Sequence, residues 1–118
     1  MDINLDEQNS ILYIKPTDAL KAESFSQLTT IFDAYVKDHG NLKGLVIEAK
    51  KFPGWENMDA FKAHVKFIKD HHAKIQKIAL VTDSGLAMLA KGIGCFISTQ
   101  IKHFPYDQVG PAKQWIEQ

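Results

Sequence analysis

The sequence predicts an α/β fold built on a mixed, mainly parallel sheet of about five strands with about four helices. Three observations carry this reading. The apolar spacing switches repeatedly between the strand period and the helix period along the chain. Two runs, Leu45-Val46-Ile47 and Ile78-Ala79-Leu80-Val81, are continuously apolar, as strands buried on both faces of a parallel sheet are. Only the connection at residues 6–10 is short enough for a hairpin, so the remaining strands pair in parallel through right-handed helical crossovers.

Taken in order, Ile3 and Leu5 alternate with polar residues, Asp6 to Ser10 is turn-rich, and Ile11-Leu12-Tyr13-Ile14 is β-rich. Together they read as a hairpin. Pro16 ends the second strand because it has no N–H for the ladder. Phe25, Leu28, Phe32, Tyr35 and Val36 recur at helical spacing, and His39-Gly40 supplies a helix stop. After the Leu45–Ile47 strand, Phe52-Pro53-Gly54-Trp55 reads as a loop. Asn57 is the expected cap of a helix built on Phe61, Val65, Ile68 and His72, with Asp59 well placed in its first turn. Ile78–Val81 is the second buried strand, and Asp83-Ser84 opens a helix over 84–99. Gln100 to Phe104 alternates like a less buried strand and stops at Pro105. Asp107 to Ile116 reads as a short terminal helix anchored by Trp115 and Ile116, with Pro111 tolerable only near its start. No repeat, linker or low-complexity segment interrupts the pattern, so residues 1–118 are expected to form a single domain.

Composition narrows the function classes. With 118 residues the chain is long enough to bury a core without disulfides or metals. Fourteen basic and fourteen acidic side chains cancel, which leaves no basic footprint for nucleic acid. One cysteine, Cys95, allows no intrachain disulfide and suits a reducing compartment. The opening MDINLDEQNS is polar and acidic, unlike a signal peptide, and no apolar run approaches the roughly 20 residues needed to cross a bilayer. A cytoplasmic location is expected.

The 84–99 segment, SGLAMLAKGIGCFIST, carries one charge, Lys91. Leu86, Leu89, Ala90, Ile93 and Ile97 suffice for a stripe against a sheet. Met88, Cys95 and Phe96 then remain for a ligand, a second copy of the chain or a membrane surface. Ligands of open α/β sheets gather beyond the carboxyl ends of the parallel strands, where Lys15, Lys50, Lys51, Trp55, Asp83, Ser84 and Tyr106 fall. An ammonium beside a helix start suits an anion; equally, Asp83 and Ser84 cap their helix and the lysines are solvated. Phe52 and Trp55 either bury as a lid on the core or line a pocket mouth, and Gly54 frees the backbone between them. His64, His71 and His72 lie on one helix without the four-residue spacing a metal pair needs, since Ile68 stands four from both His64 and His72. With Lys66, Lys69 and Lys74 they read as a solvated basic stripe. No nucleophile elbow, Walker loop or dinucleotide turn is present. Gly92 and Gly94 come too late in their helix for the last of these.

The Phe52-x-Gly54-Trp55 loop, the Lys66-Phe67 pair in the next helix, and the run Ile75-Gln76-Lys77-Ile78-Ala79-Leu80-Val81-Thr82-Asp83 are followed by an apolar helix and a strand ending at Phe104. In these features the chain resembles the SpoIIAA-like proteins, small domains similar in fold to STAS domains (anti-sigma-factor antagonists) and to CRAL-TRIO lipid-transfer domains. The resemblance spans nearly the whole chain. It implies their fold and a role in binding something apolar, and it brings no catalytic residue to map. The Asp-Ser-Ser-Gly-type phosphorylation site of the antagonists would fall at Phe52 to Asn57, which holds no Ser or Thr, so the phosphoswitch is not carried over to Ser84.

The resulting expectation is a non-catalytic binding domain without metal or cofactor. Its apolar cleft would lie between the 58–72 and 84–99 helices and bind an amphipathic or lipid-like molecule. Its walls would be Phe52, Trp55, Phe61, Val65, Met88 and Phe96, with Lys51 or Lys91 near a polar head. Peripheral contact with a membrane surface fits the same lining. The alternative is a regulatory module whose apolar helix docks a partner protein or forms a homodimer.

Overall fold

The computed structural model of the chain describes residues 1–83 and 99–118. Strands β1 (Asp2–Asp6) and β2 (Ile11–Lys15) are followed by helix α1 (Ala22–His39), β3 (Leu42–Glu48) and α2 (Met58–His71). A 3-10 turn (His72–Lys74), β4 (Ile75–Val81), β5 (Gln100–Phe104) and α3 (Val109–Glu117) complete the described elements. The five strands lie in sequence order, β1-β2-β3-β4-β5. β1 runs antiparallel to β2, and β2–β3, β3–β4 and β4–β5 are parallel. The mixed, mainly parallel sheet expected from the sequence is therefore present, with the hairpin as its antiparallel element. Three α-helices stand among the described residues; the fourth expected helix, 84–99, lies almost wholly outside them.

Local chemistry accounts for the boundaries. Asp6 accepts from the backbone N–H and the side-chain amide of Asn9 at 3.1 and 2.8 Å, which closes the hairpin turn. Ser10 then ties three elements together: its hydroxyl receives the Tyr35 phenol of α1 at 2.6 Å and the Lys43 N–H of β3 at 3.0 Å. Gly40 ends α1 with φ 84° and donates its N–H to the Val36 carbonyl. The Asn57 side chain caps α2 by accepting from the Ala60 N–H at 2.9 Å, as expected. α3 begins two residues after Asp107, and Pro111 sits in its first turn, where helix N–H groups lack intrahelical partners.

The sheet buries both faces. Leu12, Ile14 and Leu45 pack against Phe25, Leu28, Phe32 and Tyr35 of α1 and Phe67 of α2. Ile11, Val46, Ala79, Val81 and Phe104 form the opposite layer with Ala112 and Ile116 of α3. This second layer is close enough that a Cβ on Gly44 would overlap the Ile116 side chain. Lys77 holds the end of α3 by donating to the Trp115 carbonyl at 2.8 Å and to the Gln118 carbonyl at 3.3 Å, which suits a cation at a helix C-terminus.

The packing of α2 corrects the sequence reading. Phe61, Val65, Ile68 and His72 were expected to form its core stripe, yet the buried residues are Ala60, Phe67 and His71. Phe61 and Val65 are 40% and 50% exposed. At about 100° per residue, Ala60, Ala63, His64, Phe67 and His71 share one face. Met58, Phe61, Val65, Ile68 and His72 share another, about a third of a turn away. The first stripe wins because its two histidines are satisfied from α1 and from the loop before α2. His71 is 6% exposed, with its ring nitrogens 2.8 Å from the Phe67 carbonyl and 3.1 Å from the Asp33 carboxylate. His64 stacks on Phe25 with ring centroids 4.9 Å apart. Neither belongs to a solvated basic stripe.

Candidate functional aromatic surface

The loop after β3 is held from two sides. On the sheet side, the Ala49 N–H donates to the Val81 carbonyl and the Asp83 N–H to the Lys50 carbonyl, at 3.0 and 3.1 Å. On the other side, the Leu20 N–H donates to the Gly54 carbonyl and the Glu56 N–H to the Leu20 carbonyl, both at 2.8 Å. This short parallel bridge between Leu20 and Trp55 needs the left-handed backbone of Gly54, φ 81°, a conformation only glycine adopts without strain. The segment before α1 and the loop before α2 therefore fix each other.

That clamp presents a chain of aromatic contacts. Phe52 is half-buried against the α1/α2 core layer and meets the Trp55 ring edge-on at 4.8 Å. Trp55 meets Phe61 edge-on at 4.9 Å. The Trp55 indole N–H donates to Nδ1 of His64 at 3.1 Å, and His64 rests on Phe25. Trp55 remains 36% exposed and Phe61 40% exposed; Val65 and Met58 continue the same face of α2 at 50% and 64%. Burial pushes the proton affinity of His64 below the ordinary imidazole range.

Four of the residues expected to bind a ligand are thus described. Phe52, Trp55 and Phe61 touch in sequence, and Val65 lies one helical turn beyond Phe61. Met88, Lys91 and Phe96 lie outside the described residues, so one wall of the expected cleft does too. The described wall is an open surface. Two further residues belong to it: Met58, which the sequence reading passed over, and His64, which it assigned to a solvated stripe. Met58 sits three residues before Phe61 on the same stripe, a spacing that could have flagged it. His64 is bonded to Trp55 across a helix cap, which no local pattern announces.

Among the described residues, the polar side chains at the strand ends do not converge on an anion site. Lys15 pairs with Glu48 at 3.3 Å, a contact that raises the affinity of the lysine for its proton. The Asp83 carboxylate accepts the Tyr106 N–H at 3.1 Å and so organises the next loop. Lys50 and Lys51 are exposed, and Ser84 is outside the described residues. A shallow depression of about 270 Å³ lies beside the Lys15–Glu48 pair, lined also by Asp2, Asn4, Tyr13 and Val46. The two carboxylates and one amine there leave no net positive charge. Among the described residues, no group of three or more His, Cys, Asp or Glu side chains is gathered for a metal ion. No described helix is long and apolar enough to cross a membrane.

No curated protein and no solved structure shows significant similarity to the chain. Residues 11–117 match the SpoIIAA-like family, a span that takes in every described element after β1, including the clamp and the aromatic surface. The chain belongs to the SpoIIAA-like family.

Proposed function

We propose that this chain is a single, non-catalytic recognition domain that binds the apolar segment of a regulatory partner protein on the Trp55 surface. The observation that carries this is the combination of fixation and exposure at Trp55. Its indole is held by a hydrogen bond and by two edge-on rings, yet 36% of the residue faces water beside Phe61, Val65 and Met58. Burying one such side chain is worth roughly 1.5–3 kcal/mol. A fixed aromatic group also loses little conformational freedom on binding, which is why Trp so often anchors interfaces. The openness of the described surface suits a protein segment. Three of the five histidines serve structural hydrogen bonds: Nδ1 of His64 accepts from Trp55, the ring nitrogens of His71 contact the Phe67 carbonyl and Asp33, and His103 hydrogen-bonds the Thr82 carbonyl at 2.6 Å.

A second reading, an amphipathic small molecule with its chain on Trp55 and Phe61, rests on the exposed Lys50 and Lys51 directly before Phe52, which suit an anionic head. Native mass spectrometry on protein purified from its own cells separates the two. A retained protein mass supports the first reading and a retained small mass the second; a doubled mass makes a second copy the occupant. Each should be lost on Trp55→Ala. A bare monomer, or a complex indifferent to Trp55→Ala, overturns the proposal.

A further inference from the structure

The Trp55 surface depends on a hydrogen bond whose chemistry admits one protonation state. An indole N–H only donates. Nδ1 of His64, 3.1 Å from it, must therefore present a lone pair, so His64 is neutral with its proton on Nε2. Adding a solvent proton to Nδ1 would set two donors against each other and abolish the bond.

Among the described residues, the groups in contact with His64 are uncharged. α1 meets it with the Phe25 ring, centroids 4.9 Å apart and 17° from parallel. The loop meets it with Trp55. On its own helix the residues three and four away are Ala60, Phe61, Phe67 and Ile68. Among the described residues no carboxylate or ammonium is paired with it; burial lowers its proton affinity, and the indole bond to Nδ1 favours the neutral ring in the same direction. An imidazolium would still be attracted to the Phe25 ring face, which keeps His64 against α1, whereas the indole, its ring centroid 5.9 Å from that of His64, loses its acceptor.

We propose that His64 is the positioning residue of the Trp55 surface and acts as a proton-operated latch: neutral it holds the indole in place, protonated it releases it. The regulatory meaning rests on the reading of Trp55 as a recognition residue, whereas the latch itself rests on the geometry and is tested without any ligand.

The test is the Trp55 indole N–H in proton–nitrogen NMR spectra, assigned by its absence in Trp55→Phe. In the wild type it should be protected from water exchange near pH 8. It should keep that protection at the ordinary imidazole value of about 6.5 and lose it only at lower pH, because burial depresses the proton affinity of His64, while the backbone amides of the sheet stay unchanged. In His64→Gln, whose side-chain oxygen accepts at every pH, the indole should stay protected throughout. An indole that ignores pH in the wild type, or a step that survives in His64→Gln, overturns the latch. If His64→Gln fails to fold, the ring nitrogens of wild-type His64 decide: a proton on Nε2 near neutral pH supports the latch, and one on Nδ1 overturns it. Partner binding unaffected by Trp55→Ala would remove the recognition reading while leaving this result standing.

Discussion

Helix α2 divides its apolar side chains between holding the fold and facing outward, and paired truncations at Phe67 and Phe61 measure that division. Phe67 is 7% exposed. It stacks on His71 with centroids 4.3 Å apart and meets Phe25 and Phe32 at 6.3 and 6.1 Å. Replacing a buried Phe by Ala costs about 3–5 kcal/mol, the transfer of the ring plus the cavity left behind. Since small domains are stable by only about 5–15 kcal/mol, Phe67→Ala should lower the urea midpoint severely. Phe61 keeps 40% of its surface in water. Burial of a whole Phe is worth roughly 1.5–3 kcal/mol, so about three-fifths of that, roughly 1–2 kcal/mol, is at stake. The higher helix propensity of Ala returns a few tenths of a kcal/mol. Urea titrations followed by far-ultraviolet circular dichroism, with equal slopes for both variants, give the comparison directly. A Phe61→Ala loss as large as that of Phe67→Ala would refute the division, because Phe61 would then be core.

Other consequences can be checked with the same titration. Gly44→Ala should destabilise by about 1–3 kcal/mol through overpacking, because the added Cβ overlaps Ile116; combined with Ile116→Ala, the loss should fall short of the sum of the single losses. Asn57→Ala removes the acceptor for the Ala60 N–H and should cost about 1 kcal/mol. The depressed proton affinity of His64 means that the unfolded chain takes up this proton first as pH falls. Its stabilising contribution is thus complete above about pH 6.5 and declines as pH drops from there toward the lower folded value. His64→Gln should flatten that part of the stability–pH curve, and an unchanged slope would count against the assignment.

Much of the sheet is legible in the sequence because burial on both faces writes itself into consecutive residues. Leu45-Val46-Ile47 and Ile78-Ala79-Leu80-Val81 have to satisfy α1 and α2 on one side and α3 on the other. The hairpin and the ends of α1 and α2 are equally readable, since Asp6 with Asn9, Gly40 and Asn57 act within a few residues of themselves. The orientation of α2 is not legible in the same way. Its sequence holds two apolar stripes, and side-chain size favours the one with Phe61 and Val65. What decides is whether His64 and His71 find partners. Those partners, Phe25, Asp33 and Trp55, belong to other elements and come together only once the chain has folded. The same holds at the strand ends, where Lys15 looks available for an anion until β2 and β3 align and bring Glu48 within 3.3 Å. Phe52, Trp55 and Phe61 were recognisable as a group because aromatic side chains crowd one loop and the following helix turn. The fixation of Trp55 by a histidine nine residues away was not.

Recognition around Trp55 can be read out most directly by photo-crosslinking in living cells. A photoreactive phenylalanine analogue replaces either Phe61, on the aromatic surface, or Gln114, which is exposed on α3 on the opposite side of the sheet. Position 61 should give a discrete adduct, lost when Trp55→Ala is added, and position 114 should give no comparable adduct. Adducts from position 114 alone, or adducts from position 61 that persist without Trp55, would contradict recognition there.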